Sequence, residues 1–154
     1  MKIKMIILAL VVFLGGAVVA SAQSPHMGTW KLNEAKSKFP KGATKNHTVT
    51  YEAAGDQTKV TVDGTAADGS VIHSEWTGKF DGKPYALTGD PAGDMRSYRV
   101  VNRRTLSLRS TKDGKLTTTA TITVSANGKT RTVTARSRNA KGQWTTSSAF
   151  YDKQ

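Results

Sequence analysis

The chain has 154 residues, 23 Lys and Arg against 11 Asp and Glu, a formal net charge of +12 and no cysteine. That composition rules out disulfides, thiolate nucleophiles and zinc–thiolate sites, and the length suits one compact domain. The charge is uneven: residues 23–94 carry 8 lysines against 9 acids, whereas residues 95–154 carry 13 basic residues, all eight arginines among them, against Asp113 and Asp152.

Met1-Lys2-Ile3-Lys4 precedes an apolar run from Met5 to Ala20 that ends in Ala20-Ser21-Ala22. This is the pattern of a secretory signal peptide over residues 1–22, cleaved after Ala22. The run is shorter than the roughly 20 residues that span a bilayer as a helix, and no later stretch approaches that length. The expected product is an exported protein, periplasmic or extracellular, made of a single domain over residues 23–154.

Gly28-Thr29-Trp30-Lys31-Leu32 reads as the first strand, with Gly28, Trp30 and Leu32 on an apolar face and Thr29 and Lys31 on a wet one. Asn33 is placed to cap one short helical turn that Pro40 would stop. Short strand-like runs follow, near 46–53, 57–65, 70–78, 83–89, 95–101, 104–110, 115–125, 129–138 and 143–151. They are punctuated by Asp68-Gly69, Asp81-Gly82, Asp113-Gly114, Asn127-Gly128 and Lys141-Gly142. Aspartate– and asparagine–glycine pairs accept the positive φ of tight hairpins. Within the runs, apolar and polar residues alternate: Leu116, Thr118, Ala120, Ile122 and Val124 oppose Thr117, Thr119, Thr121 and Thr123. The fold class predicted is all-β, an antiparallel up-and-down meander of about 8–10 strands closed into a barrel to hide its edges, with one short helical turn after the first strand. A two-sheet sandwich is the alternative.

The opening Gly28-x-Trp30, the string of hairpins and the closing run from Trp144 to Lys153 resemble the calycin superfamily, the lipocalins and fatty-acid-binding proteins. The resemblance implies a barrel signature at Gly28 and Trp30 and a small apolar or amphipathic ligand inside. Asn33 to Lys45 is too short for the two-helix lid of fatty-acid-binding proteins. Their Arg-x-Tyr carboxylate clamp falls here on Ala149 and Tyr151, so the arginine is missing. Lipocalins pack a late arginine over the tryptophan, and no arginine follows Arg138.

Alternation places Trp30, Tyr51, Trp76, Tyr98, Leu106, Leu108, Ile122, Val133, Trp144 and Phe150 inward. Arg96, Arg104 and Arg131 fall in the inward phase but near strand ends, where reaching the watery rim is the cheaper outcome for an arginine. The expected ligand-binding set is Trp76, Tyr98, Arg96, Arg104, Arg131 and Tyr151, an apolar lining with a cation or phenol to fix a polar end. Arg99, Arg109, Arg136 and Arg138 fall on the solvent phase and define a basic face suited to anionic polymers or anionic lipid headgroups. The scarcity of exposed aromatics on that face argues against specific nucleic-acid binding. His26, in what reads as a loose start, His47 and His73 lack metal-ligand spacing, and no nucleophile elbow, phosphate loop or calcium loop occurs. The sequence thus points to a non-enzymatic binding protein without cofactor or metal. An adhesion module using its basic face, or an envelope protein with no small ligand, are the other readings.

Overall fold

The computed structural model describes residues 23–154; the segment read as a signal peptide, with its boundary at residue 22, lies outside the described residues. Ten antiparallel strands follow in order: β1 (Gly28–Leu32), β2 (Lys45–Ala54), β3 (Gln57–Thr65), β4 (Val71–Gly78), β5 (Tyr85–Thr88), β6 (Met95–Asn102), β7 (Thr105–Lys112), β8 (Lys115–Val124), β9 (Thr130–Arg138) and β10 (Trp144–Lys153). A single 3-10 turn, Glu34–Lys36, follows β1, and the Asn33 side chain caps it by accepting from the Lys36 N–H at 3.3 Å. Each strand pairs with its chain neighbours, and β10 returns to β1 through Trp30–Lys153, Lys31–Asp152 and Leu32–Tyr151. The sheet closes on itself and leaves no edge.

The hairpins close for the reason the sequence gives. Asp113 and Gly114 both take positive φ, 50° and 74°, which the two-residue β7–β8 turn demands. The barrel has two ends. The first gathers the residue 23–27 segment, the β2–β3 turn, the 79–84 loop, the β6–β7 turn and the β8–β9 loop. The second gathers the 33–44 connector, the β3–β4 turn, the 89–94 loop and the β7–β8 and β9–β10 turns. The wall is thinnest at β5, which holds only two register pairs on either side.

Eight strands enclose about what side chains can fill, so ten need bulk inside. Rings supply it on the β2–β6 side. Trp76 and Tyr98 meet edge to face at 4.7 Å between centroids, and Phe80 stacks on Trp76 at 6.2 Å. Tyr51 and Tyr85 complete the cluster at 6.3 Å from Tyr98 and 5.7 Å from Trp76. Such pairs contribute about 0.5–1.5 kcal/mol each beyond their burial. Across the barrel, β8, β9 and β10 present Ala120, Ile122, Val133, Ala135, Ser147 and Ala149 inward in register, a far less bulky wall.

Three side chains sit on the opposite face from the one alternation predicts. A bulge pairs Ser110 with Thr118 but Thr111 with Leu116, and Thr117 donates its hydroxyl to the Ser110 carbonyl at 3.2 Å. One extra residue flips the strand's facing, so Leu116 leaves the inner row. On β10, Ala149 and Tyr151 are buried and share the inner face, which puts Trp144 and Phe150 outside. Phe150 is covered there by Lys36, 4.8 Å above its ring, and Trp144 by arginines.

Candidate functional site

At the first end the chain builds a floor around Trp30. Its indole N–H donates to the His26 carbonyl at 2.8 Å, and a turn from Ser24 to Met27 holds that segment across the opening. Gly28 takes φ +101°, and that left-handed backbone calls for glycine; the nearest atom to a Cβ there, Lys153 Cε at 3.0 Å, belongs to a flexible side chain that can yield. His26 is therefore no loose residue: it is 1% exposed, and neither ring nitrogen has a hydrogen-bond partner. Burial first, then the positive charges of Arg131 and Lys153, hold its pKa down at about 4.

Arg131, second residue of β9, lies against this floor. It is 2% exposed, and its guanidinium carbon sits 4.9, 5.1 and 4.7 Å from the rings of Trp30, Tyr51 and Tyr151. No carboxylate pairs with it among the described residues, and its Nε and Nη1 lack hydrogen-bond partners. The rim position favoured by sequence reasoning is corrected here: the 23–27 segment roofs the strand end and buries the cation. The structure also supplies an arginine over the Gly-x-Trp indole, from β9 rather than from the chain after Arg138. Tyr151, register partner of Arg131, donates its hydroxyl to the Asn46 carbonyl at 2.9 Å. Burial pushes its phenol up to about 12, so it stays a neutral donor.

The remaining predicted lining residues go elsewhere. Trp76 and Tyr98 are 1% and 2% exposed in the aromatic cluster, with the Trp76 indole N–H donating to the Arg96 carbonyl at 2.8 Å. Burial, reinforced by Tyr51, raises the Tyr98 phenol far above its ordinary pKa. Arg96 is inward and satisfied: Nη2 meets Asp90 Oδ2 at 3.0 Å and Nε donates to Ser110 Oγ at 2.9 Å. That pair pins the 89–94 loop over the second end. Arg104 does not reach the interior. Asn102 pairs with Thr105, so Arg103 and Arg104 form the exposed β6–β7 turn and Arg104 drops out of the ligand set.

From Arg131 toward the second end, the inner row of β9 continues through Val133, Ala135 and Ser137. These residues face inward yet are only half-buried, as are Thr118, Thr145 and Ser147 beside them. Val133 and Ala135 pack against the core cluster from this side. Thr118 Oγ1 and Ser137 Oγ hydrogen-bond across it at 3.2 Å, leaving polar groups near the rim. Arg131 and its register partner Tyr151, both buried, stand at one end of this half-buried strip.

Outside, Arg109, Thr119 and Arg136 are register partners across β7–β9, which sets the two arginines about 10 Å apart, two strand spacings. Arg138 lies beside Trp144 on the same face, and Arg99 sits by the first end, where its backbone bridges Asp81. A recess of about 700 Å³ opens among Lys112, Asp113, Lys115, Leu116, Thr117, Arg138 and Trp144. Sequence reasoning missed it because Leu116 and Trp144 were placed inside. A second recess, about 550 Å³, lies at the first end beside Gln23, Pro25, Glu52 and Lys153.

No family model matches the chain, and no curated protein does. Among solved structures it is similar to EF1p2_mFAP2b bound to DFHBI, at TM-score 0.51 and 11% identity, over 84% of this chain and 94% of that one. A redesigned beta barrel, mFAP1, bound to DFHBI, aligns at TM-score 0.44 and 14% identity, over 84% and 95%. The first likeness shows a shared barrel fold.

Proposed function

We propose that this protein is an exported, non-enzymatic binding protein whose barrel holds a small amphipathic anion. The head, a carboxylate or similar group, lies on Arg131, and the apolar tail runs along Val133, Ala135 and Ala149 toward the second end. One observation carries the reading: a guanidinium 2% exposed, without a counter-ion among the described residues, with Nε and Nη1 both unpartnered. Each buried N–H without a partner costs about 1–3 kcal/mol. A ligand carboxylate can take Nη1 and Nη2 together in the parallel two-bond geometry that arginine favours, while Nε, on the opposite edge from Nη1, is met by a second acceptor.

The inner row from Val133 to Ser137 runs about 13 Å along the strand, a length comparable to a medium alkyl tail. The fatty-acid-binding resemblance puts its arginine at Ala149, where it is missing; in this reading Arg131, register partner of Tyr151 on β9, takes that part instead. The barrel neighbour described as bound to DFHBI is in keeping with a small ligand inside such a wall. Export rests on Lys2, Lys4, the apolar run and the Ala-x-Ala site.

The test is a titration with decanoate, decanol and decylamine, followed by tryptophan fluorescence because Trp30 borders the site. Decanoate is expected to bind at least tenfold more tightly than decanol, with decylamine weakest. Equal affinities for the three, or none for decanoate, would sink the reading.

A further inference from the structure

The outer wall carries a second site that the interior reading does not use. The bulge at Thr117 turns Leu116 outward, and the β10 alternation turns Trp144 outward beside it. Arg138 stacks on the Trp144 ring at 4.6 Å and Arg136 lies 5.6 Å from it. Arg138 is fixed further by donating Nη1 to the Gly142 carbonyl at 2.6 Å. Lys112 and Lys115 close the other side of the recess. Among the described residues none of these four cations forms an ion pair, and Asp113 is the one acid in the recess lining.

The geometry points to a binding site for a sulfated or uronic-acid polysaccharide segment in the groove of Leu116, Trp144, Arg136, Arg138, Lys112 and Lys115. The Arg138 guanidinium, held over the indole with Nε donating to the Leu116 carbonyl at 3.4 Å and Nη1 to the Gly142 carbonyl, keeps Nη2 for an incoming carboxylate or sulfate and loses little freedom on meeting it. The recess of about 700 Å³ lies within the usual range for ligand sites and has room for one or two sugar rings. Its apolar groups, Leu116 and Trp144, are half-buried, with the Arg136 and Arg138 guanidinium groups lying over the Trp144 ring. That order suits a ring whose faces are carbon-rich and whose edge is anionic. A membrane-docking patch has the opposite relief, with apolar side chains projecting past the cations into the headgroup boundary. Arg109, one strand away from Arg136 across Thr119, extends the track for the next anionic unit.

The experiment uses the chain from Gln23 and a heparin-derived tetrasaccharide, with affinity measured by calorimetry at two salt concentrations. R136Q/R138Q is expected to weaken binding at least tenfold and to flatten its salt dependence, while the charge-matched R99Q/R104Q stays within twofold of wild type. W144F is expected to retain binding better than W144A, with folding of each variant checked by circular dichroism. Equal losses in the two double variants would mean diffuse attraction and overturn the site. So would binding to phosphatidylglycerol vesicles with none to the tetrasaccharide. Decanoate affinity in R136Q/R138Q remains that of wild type, so failure here and failure of the interior reading are told apart.

Discussion

Replacing Arg131 by methionine separates a ligand-binding arginine from one that merely clasps the barrel floor. In the ligand-free protein its two unpartnered nitrogens, Nε and Nη1, cost about 2–6 kcal/mol together. The three rings within 4.7–5.1 Å return about 0.5–2 kcal/mol each, or about 1.5–6 in all. These opposing terms are of similar size, and methionine keeps the apolar stem while deleting both. Arg131→Met is therefore expected to move unfolding stability by no more than about 4 kcal/mol in either direction. Its effect on decanoate has one direction only: losing charge-assisted hydrogen bonds worth about 1.5–3 kcal/mol weakens binding about 10- to 150-fold. Urea unfolding by far-UV circular dichroism reads the first quantity, and the fluorescence titration reads the second. A stability loss above about 4 kcal/mol with unchanged decanoate affinity would refute the reasoning, because the cation would then be a structural clasp.

His26 makes the barrel floor acid-sensitive. Its folded pKa of about 4 lies below its ordinary 6.5, so between those values the unfolded chain binds more protons and stability falls as pH falls. The contribution amounts to about 3 kcal/mol, complete above pH 6.5 and lost toward pH 4. The difference in unfolding free energy between wild type and His26→Phe, from urea titrations over pH 4–7, should change by about that amount. In an NMR titration His73, held by Asp63 at 2.6 Å, is expected to titrate above its ordinary value while His26 titrates well below. Asp90→Ala strands the Arg96 guanidinium and is expected to cost about 2–4 kcal/mol, much of it recovered in Asp90→Ala/Arg96→Met, as a double-mutant cycle would register. Gly89→Ala places a Cβ against the His73 carbonyl at φ +72° and should lower the melting temperature by several degrees; an unchanged melt would mean the 89–94 loop relaxes freely.

The strands were legible because their signals are local. Alternation of period two and Asp-Gly or Asn-Gly pairs locate each hairpin, and ten hairpin-linked strands have little choice but to close. What resisted was facing and depth. Leu116-Thr117-Thr118 looks like any alternating stretch, yet one bulged residue reverses which side Leu116 takes. The same blindness put Phe150 and Tyr151 inside together, although neighbours on a regular strand cannot share a face. For Arg131 the phase was readable and the depth was not, since burial depends on His26 and Met27 folding back over the strand end. Arg104 had the right phase too, but the Asn102–Thr105 pairing spends it in the turn.

A meander turns sequence order into angular order around the barrel, so the uneven charge of the chain becomes a spatial division. The first five strands carry the near-neutral half and, with β6, most of the interior rings; β6 to β10 carry every arginine. The wall that is most basic outside is thus also the one with the smallest side chains inside. Along β9 the two roles alternate residue by residue: Arg131, Val133, Ala135 and Ser137 look inward, while Arg136 and Arg138 look out. Because successive side chains project to opposite faces, either row can change without repacking the other. The two proposed sites therefore share a strand yet remain separable: Arg131→Met should leave tetrasaccharide binding intact, just as R136Q/R138Q should leave decanoate binding intact.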